Sequence, residues 1–276
     1  MRWEEIYTAE QIQKIQEIEL ENLRELKRVC DAIGVQFFVY GGSLIGAVRH
    51  QGFVPWDDDL DIGMLRADYD KFISEAPKHL SEKYYLQTPY SDKKTPYFYT
   101  KLRKNGTKCV EYAAHRLNIH HGIYVDIYPI DELPNEDAVF WERHKKYQKW
   151  IRLFVWRQNP YRAARSTTLK QRWKACVRYA GALVLRLVPR SFFIKKLDSI
   201  SKKDNGKGTG RYGNYSFPKP QNTFERVLPF ETAQFEGESV LLPSDWDGHL
   251  RRRYGDYMAL PPEDERIGHV PYILEF

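Results

Sequence analysis

The sequence predicts an α+β protein with a basic helical elaboration. Three observations lead there. Apolar residues recur at helical spacing near the N-terminus, short β-branched and aromatic runs follow, and a long Lys- and Arg-rich helical stretch comes next. The chain has 276 residues, enough for one substantial core, and 42% hydrophobic with 29% charged residues exclude a disordered protein.

Ile12, Ile15, Ile18, Leu23, Leu26, Val29 and Ile33 recur near the 3.6-residue period and predict a long amphipathic helix. Thr8 with Gln11 can form a capping box, and Gly34 suits the helix stop. Residues 35–40, VQFFVY, predict a buried strand running into a tight turn at Gly41-Gly42. A helix is expected from Ser43 to Val48, a strand over about 58–64 and a helix over 69–76, ending before Pro77. Residues 83–88 and 97–103 are candidate strands, and Gly122–Tyr128, GIYVDIY, alternates as a strand. Residues 140–197 are expected to be mostly helical, broken near Asn159-Pro160 and at Pro189. The Gly- and Pro-rich stretch 204–220 predicts a loop, 235–242 a strand and 246–254 a short helix.

Charge is unevenly placed. Residues 141–211 hold 20 Lys and Arg against Glu142, Asp198 and Asp204, so this segment carries +17 in a chain whose net charge is +6. Such a local excess points to an anionic partner. Residues 174–197, KACVRYAGALVLRLVPRSFFIKKL, mix apolar and cationic side chains, with Trp141, Trp150, Trp156 and Trp173 upstream. Helices of this kind lie in membrane interfaces, so an anionic membrane surface is an expected partner; a core helix pair with a solvated basic face is the plainer alternative. Cys30, Cys109 and Cys176 lack zinc-ligand spacing, and an odd count makes a poor disulfide framework, so reduced, mostly buried thiols, fitting the cytosol, are expected. No signal peptide is expected from MRWEEIYTAEQ, and no apolar run is long enough to span a bilayer.

The chemistry is carried by residues 41–64, GGSLIGAVRHQGFVPWDDDLDIGM. On an extended strand Asp59 and Asp61 share a face, with Asp57 near the entrance of that face and Asp58 turned away. Adjacent carboxylates repel, and a hard divalent cation, Mg²⁺ or Mn²⁺, removes that cost. The apolar neighbours Val54, Trp56, Leu60, Ile62 and Met64 argue for a buried strand rather than a solvated acidic turn. Gly41-Gly42-Ser43 sits between a strand and a helix, where backbone N–H groups can approach phosphate oxygens. The pattern is neither a Walker P-loop nor a dinucleotide fingerprint. Asp126, flanked by Val125 and Ile127, is a third acid able to complete a metal site or orient an attacking hydroxyl. Asp131 competes with it, but follows Pro129 and looks like a cap or turn.

Strand, Gly-Gly-Ser and helix, then the paired-acid strand, then the third acid strand: this order resembles the nucleotidyltransferase superfamily with the DNA polymerase β-like fold. Residues 41–64, HHGIYVDIYPID at 120–131 and LRRRYGDYMALPPEDER at 250–266 resemble the LicD family more closely. That family includes phosphorylcholine transferases and is related to fukutin-type ribitol-phosphate transferases. The resemblance implies a mixed sheet flanked by helices over one domain, residues 1–276, with 141–211 as a basic helical insertion contacting membrane or acceptor. It implies transfer of an alcohol phosphate, phosphorylcholine first, from a CDP-activated donor to a hydroxyl of a cell-surface glycan or its lipid-linked precursor, such as teichoic acid or lipopolysaccharide. Asp59, Asp61 and Asp126 would be the metal-binding and catalytic acids.

Gly41, Gly42, Ser43, Arg49, Lys101 and Arg103 are candidate donor-binding residues, the basic ones neutralising the diphosphate. His120 and His121 are expected to be structural, and Arg251–Arg253 match the family's C-terminal motif without an assigned role. The alternative is a nucleotidyltransferase acting on a nucleic acid or small molecule, although no RNA-binding module is present and no nucleic acid is expected as partner. A glycosyltransferase acid pair is argued against by the Gly-Gly-Ser turn and the third acid. The expected location is cytoplasmic or peripheral on the inner face of the membrane.

Overall fold

A computed structural model describes residues 3–161, 169–216, 223–266 and 268–276. The first long element, α1 (Ala9–Ile33), begins where the apolar period begins. Thr8 Oγ1 accepts from Gln11 N at 3.1 Å and Gln11 Oε1 accepts from Thr8 N at 2.9 Å, so both sides of the capping box are closed. Gly34 ends the helix with φ 65°, a left-handed value that glycine adopts without strain.

The strands that follow are β1 (Phe38–Val39), β2 (Asp61–Leu65), β3 (Tyr84–Gln87), β4 (Thr100–Lys104), β5 (Lys108–Glu111) and β6 (Tyr124–Glu132). Between the first two lie α2 (Gly41–Ile45) and a π-helical turn, Gly46–His50; α3 (Arg66–Glu75) follows β2. The central sheet runs β1-β2-β6-β4-β3, with β7 (Tyr212–Gly213) pairing the end of β6. Strands β2 and β6 are parallel and the other pairs antiparallel, so the sheet is mixed. Phe38, Ile62, Leu102, Val125 and Ile127 are fully enclosed in its core, and α1 packs across β4 and β6. The architecture is the α+β sheet flanked by helices that the sequence predicts.

The basic stretch folds as α4 (Asp137–Gln158), α5 (Leu169–Arg186) and α6 (Arg190–Ser201), with breaks at the two expected prolines. Phe140, Tyr147 and Phe154 of α4 meet Phe193 and Leu197 of α6 in a second core with Leu133 and Tyr215. The hairpin β8 (Glu231–Phe235) and β9 (Glu238–Leu242), then α7 (Trp246–Tyr254) and β10 (Pro271–Glu275), complete the chain. Among the described residues no helix is long and apolar enough to cross a membrane.

Several expectations are corrected. The strand over 35–40 contracts to two residues, because Val35 N is drawn back to Cys30 O by the helix end and only Phe38 and Val39 pair with β2. The glycines begin helix α2 rather than precede it. The strand over 235–242 is half of a hairpin whose turn residues, Glu236 and Gly237, both have positive φ, as a two-residue turn of this hand requires. Asp131 is no cap: it lies inside β6. Pro129 is tolerated there because pairing with β4 ends at Ile127 and pairing with β7 begins at Asp131, so the missing N–H falls in a gap. Part of the loop predicted over 204–220, residues 217–220, lies outside the described residues.

Candidate active site

Asp61 opens β2, and Asp126 on β6 is its register partner across the parallel pair. Asp126 N donates to Leu60 O at 2.9 Å, which carries the pairing one residue back toward Asp59. β2 starts at Asp61, later than the strand expected from about residue 58, so Asp57 and Asp59 precede it. Leu60 and Ile62 are enclosed in the core, and Asp57, Asp59 and Asp61 act on one another by charge. Asp57 hydrogen-bonds Asp59. Asp58 faces the other way, where Tyr7 Oη donates to its Oδ2 at 2.6 Å and His269 Nδ1 lies 3.1 Å from its Oδ1.

Burial pushes the carboxyls of Asp57, Asp59 and Asp61 above the ordinary range, and mutual repulsion adds to it. His269 partly relieves Asp59, while Arg253 and Lys101 partly relieve Asp61. These cations do not cancel the cluster's cost.

The Gly-Gly-Ser segment is shaped around these acids. Gly41 has φ 59°, and a side chain at this position would overlap the Asp61 carboxylate. A Cβ at Gly42 would stand 2.9 Å from Asp57 Oδ2. Ser43 Oγ accepts from Asp61 N at 2.8 Å, and Tyr40 N donates to Asp61 O at 2.9 Å. The close approach of Asp61 thus requires glycine at position 41, and a side chain at 42 would push the Asp57 carboxylate aside.

On the other side of β6, Lys101 and Arg103 share one face of β4. Lys101 Nζ lies 2.7 Å from Asp126 Oδ1 and 3.5 Å from Glu111 Oε1. It also lies 3.3 Å from the ring centre of Tyr124, 4.8 Å from that of Tyr97 and 5.3 Å from that of Tyr99. Burial lowers its pKa to about 8, with Asp126 working against that fall. Arg103 is equally buried but differently engaged: it donates to Gln87 Oε1 and to Gly122 O, each at 2.8 Å. Its bonds brace the sheet behind Lys101. Arg49 donates to the carbonyls of Tyr257 at 2.6 Å and Ala259 at 3.1 Å, tying the turn after α2 to the C-terminal segment. His120 bonds Asn105 and His121 donates to Leu117 O, so both histidines serve the loop before β6.

Glu19, Glu111 and His269 near the acids have no place among the sequence candidates, and Arg253 and Tyr254 belong to the C-terminal motif that carries no assigned role there. Glu19 of α1 is enclosed, and its Oε2 has no hydrogen-bond partner among the described residues. Burial raises its carboxyl far above the usual range, and the charges of Asp59, Asp58, Asp57 and Asp126 raise it further. Its signal was a carboxylate on the apolar stripe of α1, between Ile18 and Leu23. Glu111 accepts from Tyr124 Oη at 2.9 Å, and burial, then Asp126, push it up to about 7. His269 is raised to about 10, first by its hydrogen bond to Asp58. At the end of α7, the Arg253 charge acts on Asp61, while Tyr254 is raised to about 12 by burial and by the acids. Arg251 and Arg252 instead pair Asp247 and Asp245.

Beside this cluster opens a cleft of about 440 Å³, lined among others by Tyr97, Tyr99, Tyr112, Glu111, Val155 and Asn159. It is mainly aromatic and apolar, with a carboxylate at one wall.

The acids suit a hard divalent cation in their chemistry. They are oxygen donors, crowded out of water at a cost that positive charge relieves. Among the described residues no three His, Cys, Asp or Glu side chains already surround one point. Asp126 leans toward Lys101 instead.

Residues 34–165 match the family described as LicD/FKTN/FKRP, nucleotidyltransferase domain. The chain is 26% identical over 252 residues to the lipopolysaccharide cholinephosphotransferase LicD of Haemophilus influenzae, covering 87% of this chain and 89% of that protein. A stretch of 53 residues is 45% identical to the ribitol 5-phosphate transferase FKRP of Homo sapiens, covering 18% of this chain and 11% of that one. A stretch of 44 residues is 46% identical to an uncharacterized protein of Rickettsia typhi.

Proposed function

We propose that this chain, whose residues 34–165 are a LicD-family nucleotidyltransferase domain, is a phosphotransferase that moves an alcohol phosphate from a CDP-activated donor to a glycan hydroxyl. Phosphorylcholine is the first candidate for the transferred group. A cell-surface glycan such as lipopolysaccharide or teichoic acid, or its lipid-linked precursor, is the acceptor. The reading takes residues 1–276 as one domain on a DNA polymerase β-like sheet, with 141–211 as its insertion.

The observation that carries the reading is the register pairing of Asp61 with Asp126, with Asp59 just ahead of β2 and an aromatic cleft beside them. Asp59, Asp61 and Asp126 are the residues to hold Mg²⁺ or Mn²⁺. Such an ion supplies charge neutralisation at the donor diphosphate and at the leaving CMP. In the transfer, the acceptor oxygen forms a bond to the alcohol-bearing phosphorus. The phosphoanhydride bond to CMP breaks, and CMP departs with that electron pair. Asp126 takes the hydroxyl proton. Lys101, paired with Asp126, and Arg253, whose charge acts on Asp61, balance charge on the phosphates. Gly41, Gly42 and Ser43 present the helix start to the donor. In the cleft, Tyr97, Tyr99 and Tyr112 offer ring faces, and Glu111 a negative charge, to a quaternary ammonium head. The identities with a cholinephosphotransferase and a ribitol 5-phosphate transferase support substituted-phosphate transfer over nucleotidyl transfer to a nucleic acid.

The test offers the purified chain CDP-choline, CDP-ribitol or CDP-glycerol with Mg²⁺ and a glycan acceptor, and reads products by mass spectrometry. CMP release with a glycan gaining phosphorylcholine supports the proposal. Transfer of a cytidylyl group, or no CMP release from any donor, contradicts it.

A further inference from the structure

Helix α5 is apolar on the side that faces solvent as well as on the side that faces the protein. Inward, Ala175, Ala182 and Leu185 follow helical spacing, and Ala182 is enclosed. A side chain at Gly181 would overlap the Trp156 ring of α4, and Trp156 Nε1 donates to Arg178 O at 2.6 Å. The inner face is therefore already partnered. On the opposite face Trp173, Val177, Ala180 and Val184 stand at i, i+4, i+7 and i+11, a single stripe along the helix. Trp173 is 68% exposed and Val184 65%; Leu187, just past the helix end, is 83% exposed. A helix in water normally turns such residues inward.

The borders of the stripe are cationic. Arg172 and Lys174 are exposed on its two sides. From residue 143 to residue 197 the sequence has 16 Lys and Arg and no Asp or Glu. Two copies meeting through this face would set like charges against each other. An anionic lipid surface offers hydrocarbon to the stripe and phosphate to its borders. The basic segment also divides by role, since α4 and α6 place Phe140, Tyr147, Phe154 and Phe193 in the second core, while α5 keeps a stripe of exposed apolar residues along its length.

We infer that α5 is an in-plane anchor that seats this protein on anionic bilayers through Trp173, Val177, Val184 and Leu187. The helix it packs on, α4, also lends Ile151 and Val155 to the aromatic cleft beside the acids. Docking through α5 would hold that cleft one helix layer from the lipid, within reach of an acceptor carried on a lipid.

The experiment uses the full chain and needs no catalytic activity. Co-sedimentation is measured with vesicles of phosphatidylcholine alone and of phosphatidylcholine with phosphatidylglycerol, at low and high salt. Binding is expected to the anionic vesicles only, and to fall as salt rises. The double variant Val177→Asp, Val184→Asp removes two apolar contacts from an exposed face. It should keep the wild-type circular dichroism and lose more than about tenfold in partitioning. As a second readout, a polarity-sensitive label on the exposed Cys176 of the otherwise unaltered chain should report an apolar surrounding on anionic vesicles. Equal binding to neutral and anionic vesicles, no binding, or a label that stays in water overturns the inference. So does a double variant that changes oligomeric state while binding vesicles as before, which would make the face a contact between copies.

Discussion

Lys101 and Asp126 are register partners on neighbouring antiparallel strands, with Nζ 2.7 Å from Oδ1. On its other edge Asp126 is the register partner of Asp61. One carboxylate thus stands between a buried ammonium and a buried acid. Removing the ammonium should leave the acids with less compensation. Lys101→Met is expected to lose roughly 3–5 kcal/mol of stability, the usual scale for stripping one partner from a buried pair. Because a divalent cation would replace some of the lost charge, Mg²⁺ should raise the melting temperature of this variant more than that of the wild type. Urea and thermal melts with and without Mg²⁺ check both; an indifferent response to Mg²⁺ would count against an ion at these acids.

Asp59→Asn and Asp61→Asn should each abolish transfer without loss of folding. Both carboxyls are raised by burial and repulsion in the protein without metal, so a neutral side chain of the same shape removes a cost. Melting temperatures without metal should equal or exceed the wild type. Unfolding of either variant would make the acids structural, and near-normal transfer would remove them from the site.

Gly41→Ala and Gly106→Ala form a controlled pair. Both positions have positive φ, 59° and 83°, so both variants carry backbone strain of about 1–3 kcal/mol. Only at Gly41 does the new methyl meet the Asp61 carboxylate; at Gly106 nothing lies within 4 Å. Transfer should collapse in Gly41→Ala and persist in Gly106→Ala. Equal activity in the two would show that the acids do not need the glycine.

Asp131 should be structural. Its two oxygens each accept from the Arg66 guanidinium at 2.7 Å, in a buried bidentate pair. Asp131→Asn is expected to cost roughly 3–5 kcal/mol while transfer per folded molecule stays near wild type. Lost activity with unchanged stability would give this acid the role assigned to Asp126.

Local chemistry made much of this legible. Thr8, Gln11 and Gly34 fix both ends of α1, and the acid run points to Asp61 at the start of β2, because those signals lie within a few residues of the structure they specify. The misses came from distance and from ambiguity. His269 reaches Asp58 from more than 200 positions away, and Glu111 stands where β5 pairs with β10. No spacing rule announces either. Glu19 sits on an amphipathic helix among many acids, and only the packing of α1 on β4 and β6 brings it near the site acids. Asp131 lies within β6 although a proline inside a strand usually marks its end, and only the change of pairing partner along β6 removes the conflict.

Asp126→Asn tests the central claim most directly, through two measurements on the same variant. Calorimetry reads the binding of CDP-choline with Mg²⁺, and single-turnover mixing reads transfer to the glycan. Asp59 and Asp61 remain to anchor the donor, whereas the acceptor hydroxyl loses its proton acceptor. The expected result is donor affinity changed far less than the transfer rate, which falls on the order of 10²-fold or more. Transfer at the wild-type rate, with donor binding intact, would contradict the account and move the catalytic role away from Asp126.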